Sequence, residues 1–178
     1  MIAKEDRILV AGSSGMAGSA ICRKLIEKGY GAIENKAALL CPNRGDLDLS
    51  NKQEVEIWFK ENNPSIVILA AAKVGGILAN ATYPADFLLE NLKIQNNLIE
   101  TSWKHGIKRF LFLGSSCIYP KFSKQPISEE SLLKGELEET NLGYALAKIS
   151  GIKLCELLRF QYKFDAISLM PTNLYGPN

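Results

Sequence analysis

Histidine is almost missing from this chain: His105 is the one histidine in 178 residues. That excludes His-rich metal centres and any paired-histidine catalysis. Cysteine is nearly as sparse, and Cys22, Cys41, Cys117 and Cys155 share no metal-ligand spacing and are too few for a disulfide scaffold. No bound metal is expected, and the thiols are expected to be reduced. Long apolar runs are lacking too, since the longest, Ile66 to Ala72, falls far short of the roughly 20 residues a bilayer span requires. Charge of one sign does not accumulate: 21 basic and 19 acidic side chains leave a net +2, with no stripe suited to nucleic acid or a membrane surface. The stretch Met1–Arg7 contains Glu5 and Asp6 and no apolar core of signal-peptide length. The expectation is a soluble cytoplasmic protein with neither nucleic acid nor membrane as partner.

What is present is an ordinary globular composition, 47% hydrophobic and 22% charged. The length suits one domain, 1–178, able to bury roughly 70% of the surface its unfolded chain exposes. The apolar run Arg7–Ala11 leads into Gly12-Ser13-Ser14-Gly15-Met16-Ala17-Gly18, and then into a helical stretch from Ser19 to Lys28 closed by Gly29. Strand, glycine loop and helix form the context of a dinucleotide site. Gly12 serves the tight turn, Gly15 the approach of a pyrophosphate, and Gly18 the packing of helix on strand. The helix N-terminus then receives the anion. An ordinary glycine-rich turn is the competing reading.

A second strand is expected near Ala38–Cys41. At its end stands Arg44, with no acid before Asp46; an arginine there suits a 2′-phosphate and so NADP, although it is equally a plain surface residue. Asp46–Leu49 reads as a short strand whose Asp48 reaches the adenine edge, beside Leu49. Ser50 and Gln53 read as a capping box for a helix to about Glu61, ended by Pro64. Ile66–Ala72 reads as a strand covered on both faces, whose small Ala70, Ala71 and Ala72 leave room for a flat cofactor. Lys73-Val74-Gly75-Gly76 is the loop beyond it. A long helix runs from Pro84 to His105, closed by Gly106. Arg109–Leu113 is the next strand and enters Gly114-Ser115-Ser116-Cys117 directly. Lys121–Glu139 is polar and irregular, Asn141 caps a helix to about Phe160, and Asp165–Met170 is a last strand before Pro171-Thr172-Asn173-Leu174. The alternation implies a doubly wound, right-handed parallel sheet of the Rossmann-like kind. The apolar residues of the helices at 84–105 and 142–160 exceed one core face, which implies homodimerisation through them.

Tyr144 and Lys148 lie one helical turn apart and share a face. An ammonium beside a phenol lowers its pKa from about 10 and makes it a usable proton donor near neutral pH. Ser115, at a strand end, is able to hydrogen-bond the carbonyl oxygen that Tyr144 protonates. This is the chemistry of carbonyl reduction, although a chain with six tyrosines produces such a pair by chance about every second time.

The glycine loop, the Ser115 strand end and Tyr144-x-x-x-Lys148 together resemble the extended short-chain dehydrogenase/reductases acting on nucleotide sugars. Within them, Ala70–Gly76, Tyr83–Asp86, Leu113–Pro120 and Met170–Pro177 are similar to the GDP-4-keto-6-deoxy-mannose epimerase/reductases, the GDP-L-fucose synthases. The resemblance implies an NADPH-dependent enzyme that epimerises two carbons flanking a ketone of a GDP-sugar and then reduces the ketone. It implies Tyr144 as proton donor, Lys148 as the residue that lowers its pKa and holds the nicotinamide ribose, Ser115 as positioner and Cys117 as epimerisation base. By its local motif alone, Cys117 is equally a small buried hydrophobe. By the same resemblance Leu113, Gly114, Ser116 and Pro171–Leu174 flank the nicotinamide, while Lys73, Val74, Gly75 and Asn173 line the sugar side, and pairing occurs through a four-helix interface. Two departures stand out. Ser14 occupies a loop position where the family commonly has a basic residue. The chain also stops at Asn178, before the family's histidine acid and smaller substrate domain, so a cofactor-binding half lacking its C-terminal domain is expected, with His105 only a helix cap. Another nucleotide-sugar epimerase or dehydratase, and a non-catalytic dinucleotide-binding protein, are the alternatives.

Overall fold

The computed structural model describes residues 2–32 and 38–177. Five strands alternate with helices in chain order: β1 (Arg7–Ala11), α1 (Met16–Glu27), β2 (Ala38–Leu40), α2 (Lys52–Asn62), β3 (Ile66–Leu69), α3 (Ile77–Thr82), α4 (Pro84–Lys104), β4 (Arg109–Leu113), α5 (Leu142–Tyr162) and β5 (Ala166–Leu169). All pair in parallel in the order β2-β1-β3-β4-β5. The order reverses between β1 and β3, so the crevice for a ligand opens there, beyond the strand C-termini.

Successive strand residues face opposite sides of the sheet, and here both sides are apolar. Leu9, Ala11, Val67, Leu69, Phe110 and Phe112 pack against Val55 and Phe59 of α2, Leu98 and Ile99 of α4, and Ile149 and Ile152 of α5. Phe59, Phe110 and Phe112 are completely buried, each contributing roughly 1.5–3 kcal/mol by transfer from water. On the other side Ile8, Val10, Ile66 and Ile68 meet Ile21, Cys22 and Leu25 of α1. The doubly wound sheet is thus covered unequally, by α2, α4 and α5 on one face and by α1 on the other among the described helices. Leu169 of β5 accordingly remains 46% exposed.

Three local expectations are corrected. Asp46–Leu49 is not a strand: the Asn43 side chain accepts from the amides of Gly45 and Asp46 at 2.7 and 3.2 Å, and Asp46 returns a carboxylate to the Asn43 amide at 3.0 Å. Those bonds hold the chain in a turn. The cap of α2 is Asn51 rather than Ser50, because Asn51 accepts from the amides of Gln53 and Glu54 while Ser50 is engaged by Asp48. Asn141 precedes α5 but its side chain makes no capping hydrogen bond. His105, as expected, closes α4 and packs on Phe59.

At the opposite edge of the sheet Asp6 is buried and accepts from the Ala3 amide at 2.7 Å, Ser65 Oγ at 2.8 Å and Lys108 Nζ at 2.6 Å. It thereby joins the lead-in segments of β1, β3 and β4. Burial alone would raise the carboxyl; the bonds from Lys108, Ala3 and Ser65 outweigh it and hold the group below its ordinary value. A depressed folded-state pKa stabilises the fold above the unfolded value, about pH 4, and the contribution disappears as pH falls through the folded value. Asp6→Asn is therefore expected to cost about 1–3 kcal/mol at neutral pH by leaving its donors poorly paired. In urea denaturation across a pH series, the gap between the two proteins should narrow as the solution is acidified.

Candidate active site

The glycine loop makes the floor of the crevice. Gly12 has φ +86°, open to glycine, and a Cβ there would stand 2.6 Å from the Ala71 nitrogen, so the ends of β1 and β3 touch. A Cβ at Gly18 would stand 2.0 Å from the Gly12 carbonyl oxygen; helix and loop approach that closely only because both residues are glycine. Gly15 is the N-cap of α1, and its first turn holds no acid. The leading N–H groups and the helix dipole therefore favour an anion at this point.

One cleft of about 1260 Å³ gathers most of the residues singled out from the sequence. Its lining takes in Gly12, Ser14, Gly15, Met16, Ala17 and Gly18 of the loop; Arg44, Asp48 and Leu49 beyond β2; Ala70–Gly75 beyond β3; Leu113, Gly114 and Ser115 beyond β4; Tyr144 and Lys148; and Pro171–Leu174. Ser13, Ser116 and Cys117 do not line it. Arg44 is exposed at the tip of its turn. Asp48 is occupied locally: hydrogen bonds from the Ser50 hydroxyl (2.7 Å) and amide (2.9 Å) hold its carboxyl below the usual range, against a small opposing effect of burial.

Among the residues missed in the sequence, Pro42, Asn43, Leu47 and Ser50 come from the segment after β2 and Ala11 from the end of β1; three more come from α4. Glu90, Lys93 and Ile94 line the cleft, and their i, i+3, i+4 spacing on one helix face was the available signal. Glu90 pairs with Lys73 at 2.8 Å, so Lys73 is not a free cation. Buried Asn91 accepts from the Lys73 amide at 2.9 Å and donates to the Lys73 carbonyl at 3.0 Å, which fixes the loop after β3 from both sides of one residue.

The end of β4 carries the groups with chemistry. Lys148 is 4% exposed and donates from Nζ to the Leu113 carbonyl at 2.7 Å. Burial lowers its pKa to about 8. Ser115 caps a short 3-10 turn, Ser116–Ile118: its Oγ accepts from the Cys117 amide at 3.3 Å and donates to Cys117 Sγ at 3.2 Å. Cys117 thus sits directly behind Ser115. The Ser116 amide donates to the Pro171 carbonyl at 3.1 Å, joining this turn to the segment after β5.

Lys148 does not lower the pKa of Tyr144 in this structure. The phenol is raised, chiefly by burial and then by negative charge at Cys117, with a hydrogen bond to Ser115 pulling the other way. The ammonium is directed at the Leu113 carbonyl and lies 5.7 Å from the Tyr144 ring centroid. A raised phenol stays protonated at neutral pH, which suits a proton donor better than a base. Ser115, Cys117, Tyr144 and Lys148 therefore form a protonated acid, its hydrogen-bond partner, an adjacent thiol and a buried cation at one strand end.

Residues 8–178 match the family model described as NAD dependent epimerase/dehydratase. GDP-L-fucose synthase 1 of Arabidopsis thaliana is 55% identical over 98% of the chain, and GDP-L-fucose synthase of Escherichia coli (strain K12) is 49% identical over 98%. The chain spans 52% of the length of each. The solved structure of GDP-mannoheptose C4 reductase from Campylobacter jejuni with NADP bound superposes with a TM-score of 0.92 at 38% identity, covering 98% of this chain and 50% of that one. With the crevice at the sheet's switch point, the glycine floor and the Tyr144–Lys148 pair in place, this chain belongs to the NAD dependent epimerase/dehydratase family.

Proposed function

We propose that residues 1–178 form the NADP-binding domain of an NADPH-dependent epimerase/reductase that converts GDP-4-keto-6-deoxy-D-mannose to GDP-L-fucose. The observation that carries this reading is the convergence of Ser115, Cys117, Tyr144 and Lys148 at one strand end beside the glycine-floored cleft. The GDP-L-fucose synthases at 49–55% identity support the substrate, and the NADP-bound reductase supports the cofactor.

The residues present fit the dinucleotide. An acid-free helix N-terminus on two glycines that admit no Cβ suits the pyrophosphate. Exposed Arg44 suits the 2′-phosphate, Ala70–Ala72 and Leu49 suit the adenine and ribose side, and Leu113–Ser115 with Pro171–Leu174 suit the nicotinamide half. When bound, NADPH supplies a hydride for the ketone carbon. Tyr144 holds the proton that the ketone oxygen receives, and Ser115 orients that oxygen with a second hydrogen bond. Their polarisation of the carbonyl acidifies the neighbouring C–H bonds, from which Cys117 as thiolate removes a proton. Lys148 fixes the β4 end through Leu113 and presents its cation to the ribose hydroxyls. Lys73, Val74, Gly75 and Asn173 face the sugar. His105 stands at the opposite edge of the sheet, so the acid that completes epimerisation is not this histidine.

The chain is also proposed to pair with a second copy, in the cytoplasm. Leu157 and Phe160 of α5 are 62% and 81% exposed, and Trp103 and Leu154 line a groove between α4 and α5, which together form an apolar strip suited to a four-helix interface. No described helix is long and apolar enough to cross a membrane.

Mixed with NADPH and the GDP-keto sugar, the chain should oxidise the nucleotide; binding without oxidation would sink the catalytic reading for this length of chain while leaving the cofactor reading intact. Tyr144→Phe should lower turnover by about 10²–10⁴ with NADPH affinity retained. Cys117→Ser should abolish solvent deuterium uptake into the sugar while sparing hydride transfer; loss of both together would remove Cys117 as a separate base. Lys148→Met should abolish activity and yet not destabilise the fold at neutral pH. A lysine whose folded pKa is about 8 binds fewer protons folded than unfolded between pH 8 and its ordinary value near 10.4, so wild-type stability rises across that interval and the variant's does not. Parallel melting curves between pH 7 and pH 10 measure this. Light scattering should give a dimer mass, reduced to the monomer by Phe160→Glu with Leu157→Glu.

A further inference from the structure

Two cysteines outside the site stand sulfur to sulfur. Cys22 on α1 and Cys41 just after β2 are 19 positions apart in sequence, yet their Sγ atoms are 3.4 Å apart. Cys22 is half-buried against the β1 face, while Cys41 is exposed. Cys41 immediately precedes Pro42, Asn43 and Arg44, which line the cleft. The other two thiols are placed differently: Cys155 is buried in the core and Cys117 is bonded to Ser115.

We propose that Cys22 and Cys41 are a modification site, a dithiol that oxidised glutathione converts reversibly to a disulfide tying α1 to the rim of the cleft. The exposed Cys41 thiolate attacks one glutathione sulfur and expels the other half as glutathione thiolate. Cys22 then attacks Cys41 Sγ in the mixed disulfide and expels the second glutathione. Two protein thiols lose two electrons, one glutathione disulfide gains them, and the two thiol protons end on the two released glutathiones. The order of attack follows from exposure and from charge: burial, with Cys41 beside it, pushes the Cys22 thiol up to about 12, so Cys22 is not the first nucleophile. Capping Cys41 removes its opposing charge and eases ionisation of Cys22 for the second step.

Bonded sulfurs stand about 2.05 Å apart, so the pair closes by roughly 1.4 Å. Cys22 is anchored on a 12-residue helix, and the movement therefore falls on the Cys41 side. The Asn43–Asp46 turn is held by its own side-chain bonds and shifts with it as one body, carrying Arg44. Coupling to nucleotide affinity rests on the cofactor reading above, in which Arg44 receives the 2′-phosphate; the cross-link itself does not. A glutathione pool that stays reducing keeps the latch open, and a more oxidising one closes it.

The test equilibrates the reduced chain with a series of glutathione buffers and maps the products by mass spectrometry after alkylation. The expected product is a Cys22–Cys41 cross-link, two hydrogens lighter, reversed by dithiothreitol and absent in Cys41→Ser. Its melting temperature should rise by about 5 °C, since a loop of about 20 residues is closed. NADPH affinity should fall about fivefold or more on oxidation and recover on reduction, with Cys41→Ser unresponsive. A stable glutathione adduct on Cys41 without a cross-link overturns the proposal, as does a cross-link that leaves both melting temperature and affinity unchanged. If the reduced chain binds no NADPH while cross-linking and the melting shift occur, the cofactor reading fails and the latch stands.

Discussion

One buried charge organises the cleft. Lys148 places its ammonium under the end of β4 and donates a hydrogen bond to the Leu113 carbonyl at 2.7 Å. An ammonium removed from water is costly unless hydrogen-bonded, and burial has already drawn this one down to about 8. Packing alone would favour an apolar side chain. What the lysine adds is position: with Gln95 of α4 donating to the Ala147 carbonyl at 2.7 Å, it fastens α5 to the sheet and to α4 within one helical turn. Tyr144, one turn earlier on the same face, inherits that placement. So does the Ser115 turn, which starts two residues beyond the carbonyl that Lys148 holds.

The nucleotide end follows the opposite rule, using backbone in place of buried charge. Gly12 and Gly18 admit no Cβ because backbone at the end of β3 and of the loop itself stands there, so the strand end, loop and helix start are drawn together with the free N–H groups of α1 at the cleft. Beyond β2, charge is supplied from the rim by exposed Arg44, whose turn is set by Asn43 and Asp46. A dipole site binds any phosphate; in the proposed reading the exposed rim cation is what distinguishes one nucleotide from another. This division lets the rim be adjusted without disturbing the floor.

Much of this was legible in the chain because it is written in local pattern. Apolar runs of strand length, glycine at positions 12, 15 and 18, and Tyr144 one turn before Lys148 are all short-range signals, and the parallel sheet and its strand-edge cleft follow from them. Illegible were the pairings between distant segments. Asn91 holding Lys73, Glu90 neutralising it, and Cys22 meeting Cys41 each depend on how two elements cross, which no window of sequence encodes. The two misread ends near Asn43 and Asn51 have a different origin. Asp46–Leu49 alternates as a strand does, and Ser50 precedes a glutamine at capping-box distance, but side-chain-to-backbone bonds from asparagine competed and won.

Cys117 and Ser115 act on Tyr144 in opposite directions. Burial and then negative charge at Cys117 raise the phenol and keep it protonated, while the hydrogen bond to Ser115 lowers it. Ser115 touches Cys117 Sγ at 3.2 Å and also opposes the rise in Tyr144, so its hydroxyl is shared between phenol and sulfur. In the reading proposed above, that shared hydroxyl couples the residue that gives up a proton to the one that removes it.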